Sequence, residues 1–299
     1  MQKEVYRASI AHPAQFTPAI YKHFTVEPIT GALGAEILGL DVAANLDNPE
    51  VAEEIRSALF EHLVLLFRGQ ALERETLRHF GQLFGTLQRN PTVKKAADTD
   101  DVMLVRQEAE ERFNFSGSWH SDVTWGRPPA GETALYAMDV PPCGGDTHFA
   151  NTALAYDALS EEMKAMLSGL KAVHSLEVSQ REFSAKKPND ADADVEDVVD
   201  LFAEHPVVCT HPVTGRKCLF VNEQFTHRFV GMSEEESCPL LETLFRHQVL
   251  PDFTCRVRWQ PGTLALWDNR ATIHYASNDY PNIRREMMRV STVGDVPVA

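Results

Sequence analysis

Apolar and polar residues in this chain change over in short blocks, and long helical periods are few. Residues 25–28 (Thr-Val-Glu-Pro) and 35–39 (Ala-Glu-Ile-Leu-Gly) predict two short strands around a glycine-containing turn. Asp47-Asn48-Pro49-Glu50 supplies a helix start with proline at its first position, where the missing N–H costs nothing, and the helix is expected to run through Leu59 and His62. The apolar run Val64-Leu65-Leu66-Phe67 stops at Gly69 and predicts a buried strand, and a second helix is expected over residues 74–84. Beyond residue 100, strand-like blocks recur at 102–105, 133–138, 207–210, 218–221, 255–259, 263–267 and 288–292, punctuated by Pro, Gly and Asp. Helices interrupt them at 151–159, at 160–167 and from Ser233, where Ser233-Glu234-Glu235-Glu236 forms a capping box, to about His247. The pattern predicts a mainly β core with flanking helices.

The chain shows no internal repeat and no clear linker, so residues 1–299 are read as a single domain with an N-terminal tail of about 24 residues. The acidic, apolar-poor stretch 185–197 predicts a loop, and the wider segment 175–203 is the expected lid, since long loops in compact domains often carry function.

Composition narrows the partners. With 28 Lys plus Arg against 43 Asp plus Glu, the formal charge is −15, a field that repels nucleic-acid phosphates. It does not exclude a small anion, because exposed charges are screened within roughly 8 Å and local arginines can dominate a pocket. The five cysteines include no CxxC pair and read as small buried apolar residues. No apolar run approaches the roughly 18 residues of a membrane span, and residues 1–24 lack a signal-peptide core, so no membrane contact and a cytoplasmic location are expected. A homo-oligomer is left open.

The chemistry concentrates at Trp119-His120-Ser121-Asp122-Val123-Thr124-Trp125 and at Trp267-Asp268-Asn269-Arg270-Ala271-Thr272-Ile273-His274. Two imidazoles and one carboxylate are the ligand set that binds non-heme Fe(II) on one face and leaves other positions open. On a strand, His120 and Asp122 would point to one face and Ser121 away, with His274 arriving from a distant strand. Arg285 and Arg289 are an even four residues apart and would also share a face. Asn269 and Trp267 flank the distal motif, either to orient His274 or, equally, as a turn-forming asparagine and a core tryptophan. The histidines at 148, 174, 211 and 227 read as structural. No GxSxG, P-loop or GxGxxG pattern is present, which leaves hydrolase and nucleotide readings without support.

Taken together, these motifs resemble the taurine dioxygenase family of Fe(II)- and 2-oxoglutarate-dependent dioxygenases, which includes alkylsulfatase-type and phenoxyacetate-type enzymes. The resemblance also rests on Gly144-Gly145-Asp146-Thr147, on the segments 151–160 and 219–223, and on the arginine-rich 284–289, and it spans about Val26 to Val296. It implies a double-stranded β-helix, or jelly-roll, with His120, Asp122 and His274 as iron ligands. It further implies 2-oxoglutarate and O2 as cosubstrates, with Arg285 and Thr147 on the far carboxylate of 2-oxoglutarate and Arg289 on an anionic substrate head. Phe225 keeps the aromatic expected in the pocket wall. Taurine-specific members carry His and Tyr where this chain has Asn90 and Val93, and Asn where it has Ser116, so the resemblance does not extend to taurine itself. The implied activity is hydroxylation of a small anionic molecule (a sulfonate, a sulfate ester or a carboxylate such as a phenoxy acid) with succinate and CO2 as coproducts. A halogenase would lack the carboxylate ligand that Asp122 supplies. The remaining alternative is a non-enzymatic metal- or anion-binding jelly-roll sensor.

Overall fold

A computed structural model describes residues 12–89, 101–110, 117–176 and 202–299 of the chain. In chain order the described elements begin with β1 (Thr25–Pro28), β2 (Ala35–Leu38), α1 (Val42–Asn45), α2 (Pro49–His62), β3 (Val64–Phe67), α3 (Arg74–Gln82), β4 (Met103–Gln107) and β5 (Ala130–Asp139). They continue with β6 (Thr147–Asn151), α4 (Thr152–Asp157), α5 (Glu161–Leu167), β7 (Lys171–Ser175), β8 (Phe202–Pro206), β9 (Val208–Thr210), β10 (Lys217–Leu219) and β11 (Thr226–Phe229). The last are α6 (Glu234–Gln248), β12 (Thr254–Val257), β13 (Leu264–Asp268), β14 (Thr272–Ala276) and β15 (Arg285–Val293).

The largest sheet runs β1-β2-β3-β13-β5-β15-β4, and only its β2–β3 pairing is parallel. Facing it are the three-stranded sheets β12-β6-β14 and β11-β7-β8 and the β9–β10 hairpin. Strand alternation explains how the large sheet is buried on both faces. In β13, Ala265 and Trp267 point inward to a core shared with Phe149, Ala172, Phe229 and Val257 of the facing strands. Leu264 and Leu266 point outward, against Leu59 of α2 and Leu77 and Phe80 of α3. The architecture is a jelly-roll of facing sheets with flanking helices.

Helix boundaries follow local chemistry. Asn48 accepts from Glu50 N–H to start α2, Pro49 occupies the first turn, and Leu63 ends the helix at φ 64°. The expected capping box is present at α6: Ser233 Oγ accepts from Glu236 N–H, and the Glu236 carboxylate accepts from Ser233 N–H. Residues 12–24, placed in the tail by sequence, include a one-turn 3-10 helix at Pro13–Gln15, with Gln15 and Phe24 buried. Of the expected lid, Ser175 belongs to β7 and Phe202 and Ala203 to β8, which removes both ends from the loop; residues 177–201 lie outside the described residues. No helix among the described residues is long and apolar enough to cross a membrane.

Candidate functional site

His120, Asp122 and His274 meet as one buried group whose potential ligand atoms all lie within 4.8 Å of one another. The backbone that joins them differs from the strand expected from sequence. His120 forms a single β-bridge with His274, each N–H donating to the other's carbonyl at 2.9 and 2.6 Å. The chain then leaves extended geometry: Asp122 sits in a turn, and Val123 has φ 55°. The turn, not strand alternation, brings Asp122 round to the histidines. Ser121 does point away, its hydroxyl donating to Asn269 O at 2.7 Å.

Each group's orientation is fixed locally. His120 Nδ1–H donates to Ser118 O at 2.8 Å, which leaves the Nε2 lone pair free toward the site. Among the described residues His274 Nδ1 has no hydrogen-bond partner, and ring packing holds this imidazole, with ring centroids 5.1 Å from Trp267, 5.8 Å from Phe149 and 4.1 Å from His120. Asp122 Oδ1 faces both Nε2 atoms, at 3.9 Å from His120 and 3.8 Å from His274. Its Oδ2 takes Thr133 Oγ1 at 2.9 Å and Arg289 Nη2 at 2.8 Å.

The electrostatics suit a cation. Burial lowers the pKa of His120, and burial together with the neighbouring His120 lowers that of His274 to about 3, so both rings are neutral donors at pH 7. Burial works against ionising Asp122, but Arg289, His274, His120 and the Thr133 hydrogen bond outweigh it and hold the pKa near 2. Two neutral imidazoles and a carboxylate, buried and convergent, fit a divalent metal with open positions.

The remaining predicted residues take distinct places. Met287, between Arg285 and Arg289 on β15, belongs to the inner core, so alternation turns both arginines inward. Arg285 is buried, and among the described residues its guanidinium has no hydrogen bond or ion pair; Nε is fully enclosed without a partner. Arg289 is held at the triad through Asp122. Thr147 pairs with Ala276 in the β6–β14 ladder, two positions along from the Phe149–His274 pair, so its buried side chain shares His274's face. Its hydroxyl accepts from Trp259 Nε1 at 2.9 Å. Phe225 stands edge-on to His120 with centroids 6.0 Å apart and packs with Trp125 and Leu176. Asn90, Val93 and Ser116 lie outside the described residues. Arg284 is partly exposed and paired with Glu286.

One of the two orienting roles open for the distal motif changes. Asn269 does not reach His274; its Oδ1 accepts from Asp122 N–H at 3.2 Å and from Trp267 Nε1 at 3.1 Å, so it anchors the carboxylate's turn instead. Thr133 and Ser291 escaped sequence reading altogether, because they are ordinary strand residues without a motif. Their one signal was a hydroxyl residue on the inward face of each of two strand-like blocks. Cys209, Cys218 and Cys255 are buried free thiols, and Cys143 and Cys238 are exposed free thiols.

Known proteins share this architecture. A family model described as taurine catabolism dioxygenase TauD, TfdA family, matches residues 25–291. An alkylsulfatase of Acinetobacter baylyi is 38% identical over 275 residues, spanning 90% of this chain and 84% of its own length. An alpha-ketoglutarate-dependent sulfate ester dioxygenase of Pseudomonas putida is 37% identical over 280 residues, spanning 91% of this chain and 90% of its own. The crystal structure of a taurine dioxygenase from Burkholderia xenovorans superposes with a TM-score of 0.78 at 34% identity, covering 93% of each chain.

Proposed function

The chain belongs to the taurine catabolism dioxygenase family, TauD/TfdA, and from that premise we propose that it is an Fe(II)- and 2-oxoglutarate-dependent dioxygenase that hydroxylates a small anionic organic molecule. The observation that carries this reading is the convergent His120, Asp122 and His274 group on the same inner face of the fold as the buried Arg285, which has no anionic partner among the described residues. A metal-binding sensor would have no use for the second feature, whereas a dicarboxylate cosubstrate needs a cation for the end that does not chelate the metal.

His120, Asp122 and His274 would hold the iron through Nε2, a carboxylate oxygen and Nε2. When bound, iron and 2-oxoglutarate supply the activation of O2, with succinate and CO2 as coproducts, that delivers one oxygen atom to an unactivated C–H bond. Arg285 would receive the far carboxylate of 2-oxoglutarate on its planar donor fork, with the Thr147 hydroxyl as a second donor. Arg289 would hold the substrate's anionic head, and Phe225 with its apolar neighbours would exclude water beside His120. Sulfate esters lead the candidate substrates, ahead of sulfonates and phenoxy acids, because two relatives carry names from sulfate-ester chemistry. Hydroxylation of the carbon bearing the ester oxygen gives a hemiacetal sulfate, which breaks its C–O bond to leave an aldehyde and inorganic sulfate.

The test is succinate release with Fe(II), ascorbate, 2-oxoglutarate and a panel of alkyl sulfates, sulfonates and phenoxy acids. Substrate-dependent succinate is expected with at least one class, and Asp122→Ala is expected to abolish it while the protein stays folded. Full activity in Asp122→Ala would overturn the assignment, and silence across the panel would favour a metal- or anion-binding sensor.

A further inference from the structure

We infer that Thr133 is a positioning residue for the metal site: its hydroxyl locks one oxygen of Asp122 and so presents the other, Oδ1, to the two imidazoles. The inference rests on reading His120, Asp122 and His274 as metal ligands and adds a residue with no ligand atom of its own in that group.

Donor counting fixes where every proton lies. Asp122 N–H and Trp267 Nε1–H can only donate, and both point at Asn269 Oδ1, so Asn269 Nδ2 is the donor end of that amide. Nδ2 donates to Gly131 O and to Thr133 Oγ1, each at 2.9 Å. Thr133 Oγ1 lies 2.9 Å from Asp122 Oδ2 and 2.9 Å from Ser291 Oγ, and it owns one proton. An ionised carboxylate can only accept, so that proton goes to Asp122. Ser291 must then donate to Thr133, which leaves its oxygen free to accept from Arg289 Nε at 3.3 Å. The result is a closed, directed ring in which Arg289 donates to Ser291, Ser291 to Thr133, Thr133 to Asp122 Oδ2, and Arg289 again to that same oxygen through Nη2 at 2.8 Å.

The fold supplies this arrangement cheaply. Ser291 and Thr133 are register partners across β15 and β5, and Trp267 is Thr133's partner on the other side, in β13. Thr133 is wholly buried, where a rotating hydroxyl would be costly unless satisfied. Arg289, by contrast, has a side chain 22% exposed and is the residue proposed to hold the substrate's anion. Whenever Arg289 turns toward that anion, the Thr133 hydroxyl is the contact that still occupies Oδ2.

The experiment measures Mn(II) affinity of the metal-stripped full-length protein by isothermal titration calorimetry, alongside urea unfolding of each variant. Thr133→Val keeps the shape and removes the hydroxyl; it is expected to weaken Mn(II) binding by about tenfold or more, the usual size of such effects. Thr133→Ser restores the hydroxyl and should bind within about twofold of the unsubstituted protein. If the valine variant does not fold, Thr133→Ala removes the same hydroxyl without adding bulk, and the same outcomes decide. Unchanged Mn(II) affinity in the folded, hydroxyl-free variant overturns the inference, as does failure of the serine variant to recover. Asp122→Ala separates the two levels: if it too binds Mn(II) normally, the metal reading itself falls, whereas loss of binding in Asp122→Ala with full binding in Thr133→Val defeats only the role given to Thr133.

Discussion

A guanidinium enclosed by protein without an anion is expensive to keep, and Arg285 is in that condition among the described residues, its pKa lowered by burial. The cost is recovered when a carboxylate arrives, so ligand binding should be strongly stabilising. Saturating 2-oxoglutarate with Mn(II) is expected to raise the thermal unfolding midpoint beyond the effect of Mn(II) alone. Arg285→Gln should erase that increment and raise the KM for 2-oxoglutarate by about a hundredfold, since a charge-assisted bidentate pair contributes about 3 kcal/mol. An undiminished increment in the glutamine variant would place the far carboxylate elsewhere. Much at this scale was legible in the sequence, because chemistry-bearing types recur at telling spacings: a histidine and an aspartate two apart, two arginines four apart. What was not legible is the route by which they meet. The positive φ at Val123 and the role of Asn269 depend on the bridge between His120 and His274, two residues 154 positions apart, and no local pattern announces such a contact.

Element types follow the same logic of what is local. Strands whose buried positions are mostly apolar, such as β3 and β13, stood out as apolar runs, and α2, α4, α5 and α6 stood out by their starts. β7, β8 and β11 did not, and the reason is in their burial: His174, His205 and Thr226 occupy inward positions where a strand pattern leads one to expect Val or Ile. His174 Nδ1 lies 3.1 Å from Thr124 Oγ1 and 3.2 Å from Thr226 Oγ1, and His205 Nε2 donates to Thr124 O at 2.9 Å, partners invisible until the strands are assembled. The start of α6 illustrates the legible case and can be tested on its own. Ser233→Ala removes the hydroxyl that accepts from Glu236 N–H and opens the reciprocal box. A loss of about 1 kcal/mol in unfolding free energy is expected by urea denaturation, with succinate release per folded molecule unchanged. A loss below a few tenths of a kcal/mol would show that α6 is held by its packing through Leu241 and Leu244 rather than by its cap.

At the scale of the molecule, the histidines set how the fold responds to acid. His62, His174 and His205 are almost fully buried, and burial is the first cause of a lowered pKa in all three, to about 4 for His62 and well below the ordinary value for His174. Above pH 6.5 each is neutral folded and unfolded, so none affects stability. Below 6.5 the unfolded chain takes up protons that the folded chain refuses, and stability falls with decreasing pH by about 1.4 kcal/mol per unit for each such group, until the folded form titrates. In the metal-free protein His120 and His274, whose pKa values burial lowers in the same way, add to the fall, and the combined loss is a large share of the 5–15 kcal/mol typical of a domain. The net charge of −15 shrinks between pH 6.5 and 5 as exposed histidines and the first carboxylates take up protons, and the relief of self-repulsion offsets part of this fall. The depressed carboxyl of Asp122 adds stability above its unfolded value of 3.8 and forfeits it only at lower pH, toward 2, outside the same window. The urea midpoint of the metal-free protein should therefore be level near pH 7 to 8 and drop steeply from 6.5 to 5. His62→Gln should lessen the slope by that one ring's share while lowering stability at pH 7, since the shorter amide cannot refill a fully enclosed site beside Gln15. A midpoint that stays flat to pH 5, or a slope untouched in His62→Gln, would show that these rings accept protons inside the fold, and the buried histidines would then have to be regarded as solvated.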